Sequence, residues 1–341
     1  MKGIYNMQDV KLSVLITTYN LEKYIEQTIL SVINQRTDYR FEILVGDDGS
    51  SDKTADIVKK WQENYPDVIK LYIMGRDKNV KYNRIDRASK NRINLINHAS
   101  GEYLIFLDGD DFYTDEYKFD KQLKLLESKE YEDCIACGHN MWTYYSEDEK
   151  IPINRQTKKT IVSAKDYWKY GMYLHSDSIM FRNIFKDGFP YTIPESYYDD
   201  NIIMFCLLSK GDIAYLPDKM ACYRQLKGSS WNSVSDLEKN IINLIDLDIE
   251  FIIDKSFKKE SILRHLYPIF YIWLHGEELT GELYDKYKYE IEEKKLSWTK
   301  HWLNYEKLGG IKKFKMTAWL FAMLVRYVFI KTGRVAFKKY L

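Results

Sequence analysis

The chain has 341 residues, of which 45% are hydrophobic and 30% charged. At about 150 residues per domain this predicts two units with a sizeable core, and it excludes a disordered, collagen-like or low-complexity protein. A formal net charge of +1 excludes a generally basic nucleic-acid binder, but the charge is unevenly placed: residues 310–341 carry eight Lys/Arg and no Asp/Glu, which leaves about −7 on the first 309. Four cysteines and no opening signal-peptide pattern predict a reducing cytoplasm rather than a disulfide scaffold. No uncharged apolar run approaches the length of a transmembrane helix, about 18 residues or more.

In chain order, Leu12–Thr17 reads as a buried strand. Asn20 is an expected N-cap for a helix carrying Leu21, Ile25, Ile29, Val32 and Ile33 at helical spacing. Phe41–Gly46 is a second strand, followed by the turn residues Asp47–Ser51, with Asp52 as cap of a helix bearing Ile57, Val58 and Trp61. Val68–Met74 and Tyr103–Leu107 are further strands. Strands alternating with helices argue for crossover units and a mainly parallel sheet. Beyond Asp111 the pattern predicts a helix at Tyr117–Leu126, strands at Cys134–Tyr145 and Ser178–Phe181, and a helix at Asp199–Leu208. From Asp236 onward it is almost entirely helical, including Ile262–Trp273. The composition changes near Gly228-Ser229-Ser230, and no internal repeat is present.

Polar clusters follow three of the strands directly: Thr17-Thr18-Tyr19, Asp47-Asp48-Gly49-Ser50 and Asp108-Gly109-Asp110-Asp111. In open parallel sheets ligands bind beyond the carboxyl ends of the strands, so the three clusters can share one crevice. A lone Asp-x-Asp is ordinarily an acidic surface turn. An apolar run ending in three acids at the ligand edge instead suits a hard divalent cation that bridges a diphosphate. Asp48 can accept from a pyrimidine imide N–H while Tyr19 stacks on the base, although the cluster also reads as a turn with a helix cap. Asp199-Asp200 opens a helix, where capping competes with a role as general base toward a hydroxyl. Cys134, Cys137 and His139 lack a second ligand pair, and strand alternation puts the two thiols on opposite faces, so zinc is not expected. His175 reads as a hydrogen-bonded bystander. Arg76, Lys78, Lys81, Arg84, Arg87 and Lys90 form a basic stretch, read mainly as a solvated loop with some members free to meet a diphosphate.

These residues resemble a known family. Ser13–Asn20, Glu42–Thr54 and Gly101–Asp111 are similar, in order, to the signature series of glycosyltransferase family 2, over roughly residues 11–228. The resemblance implies an α/β protein whose catalytic domain has the GT-A fold, Rossmann-like with a mainly parallel sheet. It implies an inverting, metal-dependent enzyme that takes a nucleotide-sugar donor, with UDP favoured, and Mn²⁺ or Mg²⁺ as cofactor. Position by position, it puts Thr18 and Tyr19 beside the base and Asp48 on its edge. Asp108 falls near the ribose, Asp110 as the closest metal ligand and Asp111 in support. Asp199-Asp200 falls in the place of the family's Glu-Asp helix, with Asp200 as general base, and Ala221–Arg224 resembles its closing Tyr-Arg strand. Thr17, Cys206 and Leu226 stand where the family commonly has proline, arginine and histidine, and the missing histidine removes a possible metal or phosphate contact.

The expected organisation is a GT-A domain at 1–228, a C-terminal all-helical region at 229–309 and a basic amphipathic tail at 310–341. Met316–Ile330 is apolar, flanked by lysines and interrupted by Arg326. As a helix it spans about 22 Å, short of a bilayer core of about 30 Å. It is read as an interfacial helix on an anionic membrane surface, with packing on the bundle or on a second subunit of a homo-oligomer as the competing reading. That placement, peripheral at the inner face of the plasma membrane, suits a saccharide or lipid-linked saccharide acceptor in bacterial surface-polysaccharide synthesis, with no nucleic-acid partner. Two rival functions remain at this level. A haloacid-dehalogenase-type phosphoryl transferase would use Asp108 as nucleophile, but that class puts its nucleophile after the first strand. A non-catalytic saccharide binder fits the 15% aromatic content. A dinucleotide oxidoreductase is excluded by the lack of G-x-G-x-x-G after the first strand.

Overall fold

The computed structural model describes residues 10–254 except 78, 81–83, 154–158, 171–173 and 227–233, and beyond them 268–269, 271–272, 275, 278–290, 292 and 318. The chain divides into two compact units, Met1–Ser233 and Val234–Leu341.

The first unit begins with four strands and three helices in strict alternation: β1 (Leu12–Thr18), α1 (Ile25–Ile33), β2 (Phe41–Asp47), α2 (Thr54–Asn64), β3 (Ile69–Ile73), α3 (Arg84–His98) and β4 (Tyr103–Asp108). The strands lie in the order β3-β2-β1-β4, and all these pairs are parallel. Consecutive residues Val14, Leu15 and Ile16 of β1, and Leu104 and Ile105 of β4, are fully buried. The sheet is therefore covered on both faces, which is why these strands are unbroken apolar runs rather than alternating ones.

The remaining elements are β5 (Phe112–Tyr113), α4 (Lys118–Glu127), β6 (Cys134–Tyr144), β7 (Lys150–Pro152), β8 (Ile161–Val162), α5 (Ala164–Tyr170), β9 (Met180–Arg182), α6 (Asp200–Leu208) and β10 (Asp212–Arg224). They extend the sheet as β4-β9-β6-β10-β5. Short β9 runs antiparallel to both β4 and β6, whereas the long β6–β10 ladder is parallel. The pairs of β5, β7 and β8 are antiparallel. A mainly parallel core with short antiparallel strands is the architecture the alternating pattern predicts.

Local details depart from the sequence reading. Asn20 does not cap α1, which begins at Ile25 after Tyr24 with no side-chain cap. Asn20 instead takes a left-handed φ of 54°, a conformation asparagine tolerates, and its Oδ1 accepts from the Ser51 backbone N–H at 2.8 Å. The first strand-end loop is thereby tied to the second. Asp52 accepts from the N–H of Thr54, the first residue of α2, at 3.0 Å. The stretch expected to be strand from Ser178 begins as the 3₁₀ turn Ser176–Ser178, and β9 starts only at Met180. The basic stretch is not simply a loop, because α3 runs through its second half. Cys134 and Cys137 are both buried in β6.

In the second unit α7 (Asp236–Ile253) is capped by Ser235, whose hydroxyl accepts from the Glu238 N–H at 3.1 Å. It buries Leu237, Ile241, Leu244 and Ile245. Residues 281–290 are also helical. Most of the helix expected at 262–273 and the tail 310–341, apart from residue 318, lie outside the described residues. Among the described residues no helix is long and apolar enough to cross a membrane.

Candidate active site

Register brings the three polar clusters to one edge. Thr18 pairs with Asp47 across β1–β2, and Thr17 with Asp108 across β1–β4. The loops continue this contact: the Asp48 N–H donates to the Thr18 carbonyl at 2.9 Å and the Gly109 N–H to the Thr17 carbonyl at 2.8 Å. Thr17 Oγ1 donates to Asp108 Oδ1 at 2.9 Å. Gly109 is required by this approach, since a Cβ there would lie 2.9 Å from the Thr17 carbonyl oxygen. Thr18 is buried, and its Oγ1 has no hydrogen-bond partner among the described residues.

At the end of β2 the charge is settled. Asp48 Oδ2 is paired with the Arg76 guanidinium, and Oδ1 accepts from Arg87 Nε at 2.5 Å. Arg76 also lies over the Tyr19 ring, 4.0 Å from its centroid, and Tyr19 is 39% exposed. Gly49 makes this turn with φ 72°, in the region where side chains are strained. The two arginines come from the stretch read as solvated. Arg87 reaches Asp48 because α3 carries it there, and this corrects the solvated-loop reading for both residues.

At the ends of β4 and around α6 the charge is not settled. Asp108, Asp110 and Asp111 lie within one turn, and Asp177 joins them, its Oδ1 accepting from the Asp108 N–H at 3.3 Å. Burial first, and then Asp177, push the Asp108 carboxyl up, against the pull of Arg92. Asp110 is pushed up to about 7 by burial and by Asp108. Asp111 is pushed far above the ordinary range by burial and by Asp177, whereas Asp177, which burial would raise, is held low chiefly by His175. His175 is buried, which disfavours its charge, yet Asp177 holds its pKa up to about 9. Asp111, His175 and Asp177 offer ligand atoms within 4.8 Å of one another. His175 is thus part of the site rather than a bystander, and its ring lies 4.5 Å from that of Tyr223. Arg224 closes the far side: its N–H donates to Asp111 Oδ1 at 2.7 Å and its guanidinium to the Asp110 carbonyl and to Gln27 Oε1.

Asp199 does cap α6, its Oδ1 accepting from the Ile202 N–H at 2.9 Å. Burial and the adjacent Asp200 push its carboxyl up to about 7. Asp200, in the first turn, lines a small cavity with Phe106, Ser176, Phe181 and Ile203. Arg92 of α3 stands 3.9 Å from Asp108 at the end of β4. Burial opposes its charge, but Asp108, Asp200, Asp199 and Asp177 together hold its pKa above the usual value. Asp108, Asp199 and Asp200 therefore all act on the charge of one cation, while Asp48 joins the edge through β1. Arg92 and Asp177 were missed by sequence reasoning: one lies just past the stretch read as basic loop, the other in a Ser-Asp-Ser turn without motif character.

A divalent cation fits this edge. Asp108 and Asp110 are hard oxygen donors, and Asp110 is pushed up to about 7 by burial first and then by the neighbouring acids Asp108 and Asp177, against the pull of Arg224.

Residues 13–189 match the sequence profile described as Glycosyl transferase family 2. An uncharacterized protein of Mycobacterium tuberculosis (strain ATCC 25618 / H37Rv) is 25% identical over 230 residues, 65% of this chain and 61% of that protein. The chain thus spans about six-tenths of the length of such relatives. The GalNAc(5)-diNAcBac-PP-undecaprenol beta-1,3-glucosyltransferase of Campylobacter jejuni (subsp. jejuni serotype O:2, strain ATCC 700819 / NCTC 11168) is 39% identical over 102 residues, 30% of each chain. Among solved structures, S. aureus TarS 1–349 in complex with UDP-GlcNAc superposes with a TM-score of 0.53 at 21% identity, covering 75% of this chain and 70% of that one. That likeness is one of fold.

Proposed function

The chain belongs to glycosyl transferase family 2, and on that premise we propose that it is an inverting glycosyltransferase moving a sugar from UDP to a saccharide hydroxyl. The observation that carries this reading is the paired environment of the strand-end edge: a carboxylate flanked by two guanidinium groups at β2, and crowded acids around Asp108 and Asp200 at β4 and α6.

The choice of base rests on Asp48. With Arg76 on one oxygen and Arg87 on the other, the group presents donor, acceptor and donor in order. Uracil presents the complement, a carbonyl on each side of an imide N–H. Cytosine lacks that N–H, and guanine puts a second donor where a carbonyl is needed, so each leaves buried polar groups unpaired. Tyr19 supplies a half-exposed ring beside this edge, and Thr18 an unpartnered hydroxyl.

In the transfer itself, Asp200 takes the proton of the acceptor hydroxyl, whose oxygen attacks the anomeric carbon from the face opposite the nucleotide. The bond to the diphosphate breaks as the new glycosidic bond forms, so one displacement inverts the configuration. Asp199 fixes the start of α6 and hence the place of Asp200. Asp110, with Asp108 beside it, would hold Mn²⁺ or Mg²⁺. When bound, such a cation supplies charge neutralisation of the leaving diphosphate. A lipid-linked saccharide in surface-polysaccharide assembly is the acceptor that accords with the name of the Campylobacter relative. The basic apolar segment 310–341 would then rest on anionic lipid at the inner membrane face.

The test is calorimetric titration with UDP, CDP and GDP in Mn²⁺, followed by UDP release from a panel of UDP-sugars. UDP is expected to bind about tenfold or more tighter than the others, one 1.4 kcal/mol step. Equal binding of all three removes the base assignment, and absence of turnover with every sugar removes the transferase reading. Sedimentation with phosphatidylglycerol vesicles, lost on truncation after Gly309, checks the membrane role.

A further inference from the structure

We infer that Arg92 is a positioning residue of this site: its guanidinium, beside Asp108 at the end of β4 and carried by a helix packed on the approach to α6, sets Asp108 and the Asp199–Asp200 pair relative to one another. The inference rests on the transferase reading above and names a residue which that reading does not require.

Helix α3 is fixed to the strand ends at three places. Arg87 bonds Asp48, and one turn later Asn91 Nδ2 donates to the Gly46 carbonyl at 2.7 Å, pinning the helix to β2. Arg92 follows directly, and its Nη2 comes within 3.9 Å of Asp108 Oδ1 at the end of β4. On its other side α3 packs against Glu195–Tyr197, the turn that leads into Asp199 and α6. One helix therefore touches the nucleotide-side strand, the acid-bearing strand and the approach to the general base.

The Arg92 side chain is only 12% exposed. Its pairing to Asp108 is longer than a hydrogen bond, and Asp108 is already served by Thr17. The Arg92 Nε has no hydrogen-bond partner among the described residues. A buried guanidinium with an unused N–H is costly unless charge compensates it. Here the compensation comes from Asp108 on β4, Asp177 in the Ser176–Ser178 turn, and Asp199 and Asp200 on α6. Such an arrangement does not close the site tightly. The guanidinium charge offsets the mutual repulsion of acids carried by different elements. Lysine carries the same charge as a point without the planar fork, so it substitutes in part.

The experiment compares Arg92→Lys, Arg92→Met and Arg92→Gln in the full chain. It measures UDP affinity by calorimetry, and kcat and KM for UDP release from whichever UDP-sugar the wild type turns over. The expected result is a kcat about 100-fold lower in R92M and R92Q with UDP affinity within about threefold of wild type, the signature of displaced groups rather than lost donor binding. R92K is expected to recover at least about a tenth of wild-type kcat. An R92M kcat within about threefold of wild type overturns the inference, as does a loss of UDP affinity that matches the loss of kcat. Should R92M not fold, R92Q and R92K are judged by the same two readings. A wild-type protein that neither binds UDP nor releases it from any UDP-sugar overturns the donor reading and this inference with it. An active wild type with unaffected variants overturns this inference alone.

Discussion

The two ends of the strand-end edge differ in how their charge is settled. At β2, Asp48 has a guanidinium on each oxygen, and one of those arginines is stacked on Tyr19. At β4 and α6, Asp108, Asp110, Asp111, Asp177, Asp199 and Asp200 outnumber Arg92, His175 and Arg224, and Asp110 and Asp199 are both pushed up to about 7. The first region is complete before any ligand arrives. The second is short of positive charge, and that deficit is what a divalent cation would relieve. Recognition of a neutral base edge needs a preformed pattern, whereas stabilisation of a leaving anion needs groups that bind its counter-ion.

The comparison can be broken most severely at α6. Replacing Asp200 with Asn is expected to lower transfer by about 10²–10⁴-fold while UDP binding stays intact. Near-normal turnover in that variant would take Asp200 out of the base role. The scaffold that both regions share is tested at Leu15, fully buried in β1. Leu15→Ala is expected to cost about 2–5 kcal/mol in urea unfolding, and a cost under about 1 kcal/mol would mean that β1 is not the packed centre. The settled region is tested by Asp48→Ala, which should weaken UDP binding by about 1.5–3 kcal/mol and narrow the UDP–CDP difference. Unchanged discrimination would move base recognition elsewhere.

The smallest effect sharpens the contrast through pH. Asp110 has its folded pKa raised to about 7, above an unfolded value of about 3.9. Between these values the native state holds the extra proton, so the contribution of Asp110 to stability falls as pH rises through that window. In metal-free buffer the wild type should therefore lose stability relative to Asp110→Asn between pH 4 and 7. Added Mn²⁺ at pH 7.5 should raise the melting temperature of the wild type and leave D110N unmoved. A difference between the two proteins that is flat with pH would place Asp110 in solvent.

Much of the first unit was legible because its signals are local. The runs Leu12–Thr17, Phe41–Gly46 and Tyr103–Leu107 are apolar without alternation, and each became a strand covered on both faces. The acids after them stand where register puts strand ends side by side. Other features had no local signal. In the basic stretch at 76–91, lysine and arginine mask the apolar face of α3, so a solvated loop was the natural reading. Asn20 carries the residue type of an N-cap, but the same short side chain also permits a left-handed turn, and a partner thirty residues away decided between them. In β10 only Ala221–Arg224 was read as strand, because its earlier part mixes charges and a proline.

By itself the sequence determined which residues must be inside, the alternation that makes the sheet parallel, and the three polar clusters that follow its strands. These depend on periodicity and turn chemistry, which neighbouring residues carry between them. Only the tertiary structure decided that Asp48 would be held by Arg76 and Arg87, that His175 and Asp177 would join Asp111, and that Arg92 would stand beside Asp108. Those contacts join residues far apart in the chain, and the strength of each charge depends on burial and on neighbours from other elements, which no stretch of sequence contains.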